Sequence, residues 1–300
     1  MDIDIVAMQV FNGISLFTIL FLMAIGLAIV FGLMGVINMA HGELMALGAY
    51  MTYLTSRAFE HWAPQWMDGY LFAAIPVAFA TTFAAGYVLE RGFIRFFYDR
   101  PLDTLLATWG LSLILQQTYR SVFGPQEVSV PLASWLSGAW EPVSGIQLPL
   151  TRIFVIGLTA VVALAVYLLL YRTRWGLRVR AVTQNRAMSD AVGINTDRVD
   201  AATFALGSGL AGIAGCVFTM IGSTNPGTGQ LYIVDSFIVV VFGGVQSLIG
   251  TALSGFTIAQ SQTTLEYLMS GSMAKVAILL LVITALYFRP NGLFARKARR

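Results

Sequence analysis

Apolar stretches long enough to cross a lipid bilayer follow one another along almost the whole chain. A hydrocarbon core of ~30 Å needs about 20 apolar residues of helix. The stretches cover Phe11–Phe31, Ala40–Thr55, Tyr70–Leu89, Leu102–Tyr119, Ile153–Tyr171, Ala201–Ile221, Tyr232–Leu248, Thr251–Met269 and Val276–Phe288. Only 11% of residues are charged, against roughly 25% in a soluble domain. Water is a poor solvent for so much apolar surface. In lipid, each backbone N–H and C=O must find its partner inside the protein, which selects helices or a closed barrel. The runs are continuous and do not alternate, which disfavours the barrel. The expected fold is all-α, a polytopic transmembrane bundle of about eight or nine spans forming one domain over residues 1–300.

Charge orients the bundle. Fourteen of the 18 basic residues fall in three places. Arg91, Arg95 and Arg100 follow the third span. Arg172, Arg174, Arg178, Arg180, Arg186 and Arg198 precede the sixth. Arg289, Arg296, Lys297, Arg299 and Arg300 close the chain. The positive-inside rule assigns all three clusters to the cytoplasm. With nine spans, the N-terminus is then periplasmic and the C-terminus cytoplasmic. Trp62, Trp66, Trp135 and Trp140 fall in outer connections, as an interfacial aromatic belt requires. The basic balance thus reports orientation, and the expected partner is a lipid bilayer, with no nucleic acid. Asp2 and Asp4 stand where a signal peptide carries basic residues, so the first span is expected to be retained. Cys216 is the only cysteine. It supports neither an intrachain disulfide nor a CxxC metal site.

Reactive motifs are missing. There is no GxxxxGK[ST] loop, HExxH or GxSxG, and the histidines are His41 and His61 alone. No catalytic residue, cofactor or metal is expected, which leaves a path for solute. Polar residues inside membrane helices are costly and usually functional. One such cluster is Gly35-Val-Ile-Asn38-Met-Ala-His41-Gly42-Glu43-Leu44. A second is Gly222-Ser-Thr-Asn225-Pro-Gly-Thr-Gly229-Gln230-Leu231, followed by Asp235. Asn38-xxx-Gly42-Glu43-Leu44 and Asn225-xxx-Gly229-Gln230-Leu231 share a spacing, a signal of the internal repeats from which many transporters are built.

Two readings of these clusters stand side by side. In one, Asn38, His41, Glu43, Asn225, Gln230 and Asp235 line a solute path. In the other, Asn38 caps a helix, Glu43 favours its N-terminal dipole, His41 sits at the cytoplasmic interface and Asp235 begins an outer helix. Gln116, Gln117, Gln260, Gln262 and Glu266 read as interhelical hydrogen-bond partners. Ser208-xxx-Gly212 and Ala211-xxx-Gly215 are small-residue pairs that let helices approach closely.

Residues 172–199 form the longest cytoplasmic connection. Val179, Val182, Ala187, Ala191 and Ile194 fit one amphipathic helical face, ending at Gly193, a good C′ residue. The segment reads either as a docking surface for a cytoplasmic subunit or as a helix lying on anionic lipid.

The chain resembles the permease subunits of branched-chain amino-acid-type ABC importers. Phe31-Gly-Leu-Met-Gly-Val-Ile-Asn-Met-Ala-His-Gly-Glu43 is similar to their first signature. Val179-Arg-Ala-Val-Thr-Gln-Asn-Arg-Ala-Met188 through Gly193-Ile194 resembles their docking loop, and Arg289-Pro-Asn-Gly-Leu-Phe294 their C-terminal signature. Within that family, Arg100-Pro-Leu-Asp-Thr-Leu-Leu-Ala-Thr-Trp-Gly-Leu-Ser112, Ala181-Val-Thr-Gln-Asn-Arg186 and Tyr232-Ile-Val-Asp-Ser-Phe237 are most similar to the urea-type permease. The chain departs from that subgroup over Gly222–Gln230 and at Gln246, which leaves short amides and branched-chain amino acids as alternative solutes. The resemblance implies a bacterial inner-membrane importer moving a small polar solute by alternating access. Its implied partners are a second related permease, two cytoplasmic ATPases and a periplasmic solute-binding protein. Arg178, Arg180, Val182, Asn185, Arg186, Ala187, Ala191, Gly193 and Ile194 are the implied ATPase-docking residues. A stand-alone channel or facilitator is the alternative of a different class.

Overall fold

A computed structural model describes residues 3–98, 100–143, 146–290 and 292–294. The basic residues Arg296, Lys297, Arg299 and Arg300 lie outside the described residues. The helices are α1 (Ile3–Met34), α2 (His41–Trp62), α3 (Tyr70–Gly92), α4 (Pro101–Phe123), α5 (Leu150–Arg172), α6 (Arg174–Gln184), α7 (Arg186–Ala191), α8 (Thr196–Thr219), α9 (Thr228–Gly243), α10 (Leu248–Leu268) and α11 (Gly271–Phe288). Each expected span falls mainly on one of these helices, but Tyr232–Leu248 runs past the end of α9 into the turn before α10. Among the described residues, five stretches are long and apolar enough to cross a membrane: Val6–Met34, Pro64–Gly92, Leu150–Arg172, Thr196–Thr219 and Gly271–Phe288. Helices α2, α4 and α10 have spanning length at 21–23 residues but carry more polar groups. Helix α9 is shorter, at 16 residues.

The core forms around α1 and α8. From Ile19 to Val30 the side chains of α1 are almost all buried, and α8 is buried along most of its length. Small residues make this possible. A Cβ on Gly212 would meet Ala78 and Thr82 of α3, and one on Gly215 would meet Met45 of α2. Helices α2 and α3 therefore close on α8 with backbones nearly touching, as the small-residue spacing predicts. Helices α4, α5 and α11 keep one apolar face outside, including Leu106, Ile114, Leu164 and Leu280. Such faces suit lipid or another membrane subunit.

Sequence reasoning did not anticipate a hairpin between α4 and α5. Strands β1 (Ala139–Val143) and β2 (Ile146–Pro149) pair antiparallel, with Trp140 opposite Leu148. The turn preceding β1 is tied to the loop before α3: the Ser134 N–H donates to the Asp68 carboxylate at 2.8 Å, and Trp135 Nε1 donates to the Asp68 carbonyl at 2.8 Å.

The described basic stretches meet at one end of the bundle, the end that carries α6 and α7. The Arg186 guanidinium lies 5.5 Å from the Tyr98 ring centre. Arg180 donates to the Leu170 carbonyl, and the Leu293 N–H donates to Phe242 O at 2.9 Å, bringing the C-terminal segment back onto α9.

The expected single docking helix is two. Asn185 breaks it: its Oδ1 accepts from Met188 N at 2.9 Å and caps α7. Asparagine prefers this capping role to a helix interior. The amphipathic face splits accordingly. Val179 and Val182 turn inward with Val199, whereas Ala187 and Ala191 are exposed. Gly193 ends α7 at φ +85°, a backbone conformation that glycine adopts without steric cost. Ile194 N donates to Ser189 O at 3.0 Å, closing the C-terminal turn.

Candidate functional site

The first polar cluster begins where α1 ends and then runs back into the protein. His41, the first residue of α2, is fully buried, and its Nε2 lies 3.4 Å from Met23 O. Met23 precedes the end of α1 by about three helical turns. Residues 35–40 therefore re-enter the bundle, and α2 starts deep inside it. This overturns the placement of His41 at an interface: its backbone partner is real but interior. The second cluster behaves likewise. Helix α8 ends at Thr219, Thr224 forms an isolated bridge with Val128, and α9 begins at Thr228 beside the start of α2.

The shared spacing produces one local structure twice. Asn38 Oδ1 accepts from Ala40 N at 3.0 Å, and Asn225 Oδ1 accepts from Gly227 N at 2.9 Å. His41 N donates to Asn38 O at 3.3 Å, and Thr228 N donates to Asn225 O at 3.0 Å. Each asparagine makes the turn that precedes a helix. Neither caps it directly, since the residues at the cap positions are Ala40 and Gly227. The two segments enter from opposite ends. The first leaves α1 at the basic end, where the Thr183 hydroxyl donates to Leu33 O at 2.9 Å. The second leaves α8 at the far end.

Gly42 and Gly229 hold equivalent places in the two segments and face each other. A Cβ on either would run into the carbonyl of the other. One residue further on, Glu43 is fully buried. Its Oε1 accepts from Ser112 Oγ at 3.1 Å and from Gln116 Nε2 at 2.9 Å, while Oε2 has no partner. Gln116 Nε2 also lies 3.4 Å from Gln230 Oε1. Glu43 and Gln230, matched in the repeat, are thus bridged by one amide. The Tyr119 hydroxyl donates to Glu43 O at 2.9 Å, and Met39 N donates to Thr108 Oγ1 at 3.0 Å. No arginine or lysine among the described residues bonds to these groups.

Sequence reasoning missed the share of α4. Thr104, Thr108, Ser112 and Gln116 recur every four residues, with Tyr119 next, and so lie on one helical face. That polar stripe was visible in an otherwise apolar span. The remaining expected pathway residues bond to groups outside this junction. Asn225 Nδ2 donates to Glu127 Oε1 at 3.2 Å. Asp235 Oδ2 pairs with Lys275 Nζ of α11 at 3.3 Å. Of the other amides, Gln260 Nε2 donates to Val10 O at 3.1 Å across to α1, whereas Gln262 bonds Glu266 within α10.

Broken helices whose starts meet inside a bundle are a transporter architecture. The family model described as "Branched-chain amino acid transport system / permease component" matches residues 9–286. The chain belongs to this permease family. Relatives include the high-affinity branched-chain amino acid transport system permease protein BraD of Pseudomonas aeruginosa, 28% identical over 293 residues, covering 96% of this chain and 95% of that protein. The corresponding LivH protein of Escherichia coli is 29% identical over 296 residues, covering 96% and 95%. A probable LivH protein of Methanocaldococcus jannaschii is 24% identical over 293 residues, covering 92% and 88%. No solved structure matches the chain. This permease is therefore a multi-pass transport subunit, and its helices are to be read in lipid.

Proposed function

We propose that this permease is the translocation subunit of an ABC importer in a bacterial inner membrane, and that its solute is small, polar and uncharged, with urea the first candidate. The carrying observation is the chemistry at the junction of the two re-entrant segments. Amide, hydroxyl and carboxylate groups of Gln116, Gln230, Ser112 and Glu43 gather there. The described arginines and lysines, which would answer a solute carboxylate, make no bond to them. Urea offers donors and acceptors in one plane and needs no counter-charge. Weak, exchangeable bonds suit a site that must also release its solute. Asn38 and Asn225 hold the two turns, His41 anchors α2, and Asp235 stands at the rim.

The energy comes from partner chains. Two cytoplasmic ATPases act on the basic end, a second related permease completes the membrane core, and a periplasmic binding protein delivers solute. The exposed face of α7 supports this assignment. Met188 and Val192 are 63% and 70% exposed beside Ala187 and Ala191, whereas Val182 is 8% exposed. An apolar patch on a short helix at the basic end suits a docking partner.

The printed names of the relatives favour a second reading, in which the solute is a branched-chain amino acid. Competition uptake separates the two. Cells carrying the whole transporter are expected to accumulate radiolabelled urea, with excess leucine unable to compete. Leucine uptake that urea does not inhibit assigns the amino acid instead.

A further inference from the structure

Arg186 opens α7, yet its guanidinium is committed inward. Nη1 meets Asp200 Oδ2 at 2.5 Å, and Nη2 meets Asp197 Oδ1 at 3.0 Å. Asp200 lies on α8 and is buried. The guanidinium also covers the Tyr98 ring at 5.5 Å. The Tyr98 hydroxyl donates to Glu90 Oε1 at 2.6 Å, and Glu90 is buried at the end of α3. Burial, followed by this bond, holds the Tyr98 phenol well above its usual range. One side chain of α7 thus reaches α8 directly and α3 through one ring. Tyr98, Arg186 and Asp200 also line a cavity of about 580 Å³, together with Met34, Gly35 and Val36, where α1 gives way to the first re-entrant segment.

These contacts have unequal strength. The pair with Asp197 is exposed and contributes little. The pair with Asp200 is different, because a buried carboxylate left without its partner is strongly disfavoured. The planar guanidinium can hold both carboxylates and stack on the ring at once, which an ammonium cannot reproduce. Displacing α7 while α8 stays fixed would strip Asp200 of its cation. Moving α7 together with α8 keeps that cation in place.

We propose that Arg186 is a coupling residue: it transmits displacement of α7 to α8 through Asp200 and to α3 through Tyr98 and Glu90, and so sets the opening of the cavity beside the first re-entrant segment. This assigns Arg186 an inward role, distinct from the ATPase contact that the sequence resemblance implies. It rests on the reading that an ATPase docks on α7.

The test uses the complete transporter, with binding protein and ATPases, in proteoliposomes, reading co-purification, ATP hydrolysis and solute uptake on each preparation. Arg186→Gln is expected to keep the ATPase bound and hydrolysing while solute moved per ATP falls about tenfold, within the usual range of coupling factors. Arg186→Lys should recover part of the ratio. Tyr98→Phe, which keeps the ring but removes the bond to Glu90, should lower the ratio by a smaller factor. Met188→Glu, on the outer face, should lose the ATPase outright. Loss of the ATPase by Arg186→Gln, or an unchanged ratio in both Arg186→Gln and Tyr98→Phe, overturns the relay alone. Retention of the ATPase by Met188→Glu overturns the docking reading and the relay with it.

Discussion

Gly42 and Gly229 stand backbone to backbone at the starts of α2 and α9, with no room for a side chain on either. The contact ties together two segments that enter the bundle from opposite ends. Gly42→Ala and Gly229→Ala are each expected to destabilise the permease by about 1–3 kcal/mol, the usual cost of overpacking a tight core. Thermal unfolding in detergent should show a lowered midpoint for both, and uptake should fall with it. A midpoint unchanged in either variant would contradict the close approach.

Glu43 presents one oxygen to Ser112 and Gln116 and leaves the other free. Glu43→Gln keeps an acceptor for those donors, so folding should survive. Glu43→Ala strands the donors at a cost of about 1–3 kcal/mol. The account of the junction predicts that Glu43→Gln lowers uptake far more than it lowers the unfolding midpoint. Equal, small effects on both measurements would return Glu43 to a structural role.

Asp235 is held by Lys275 and only partly buried. An ion pair of this exposure contributes about 1 kcal/mol or less. Asp235→Asn, Lys275→Gln and the double variant should therefore unfold at similar temperatures, the double being no worse than either single. Uptake should fall less in Asp235→Asn than in Glu43→Gln. The reverse order would move the solute contact from the junction to the rim.

Asn185 separates α6 from α7 by capping the second helix. Asn185→Ala should weaken α7 by ~1 kcal/mol, whereas Asn185→Ser should recover most of it. Faster amide hydrogen exchange confined to residues 186–192 would report the loss, and unchanged exchange would contradict the cap.

The apolar helices among the described residues were legible because apolar length in lipid admits almost nothing else. That the connection over residues 172–199 holds a helix ending at Gly193 was legible, but its break was read through: Asn185 signals a cap, yet the apolar period continues across it. The depth at which α2 and α9 begin was hidden. An apolar profile records that residues 35–40 are interrupted, without recording that they fold back along α1. The repeated Asn-xxx-Gly spacing was the one trace of that geometry. Gln116 was named in the sequence only as a helix partner, since nothing local links it to residues 43 and 230. Likewise the β1–β2 hairpin sits in a connection whose short alternation around Trp140 and Leu148 gives little signal beside the spans.

The most direct measurement places a thiol at position 230. Cys216, the only native cysteine of this permease, is buried, so its Gln230→Cys variant, assembled with its partners, carries one accessible thiol among the described residues of this permease. A membrane-impermeant thiol reagent is applied with and without ATP, and solute uptake is read on the same vesicles. If the two re-entrant segments frame the solute path, labelling at position 230 changes with ATP, slows in the presence of solute, and blocks uptake. Complete labelling that ignores ATP and solute and leaves uptake intact would place the path elsewhere.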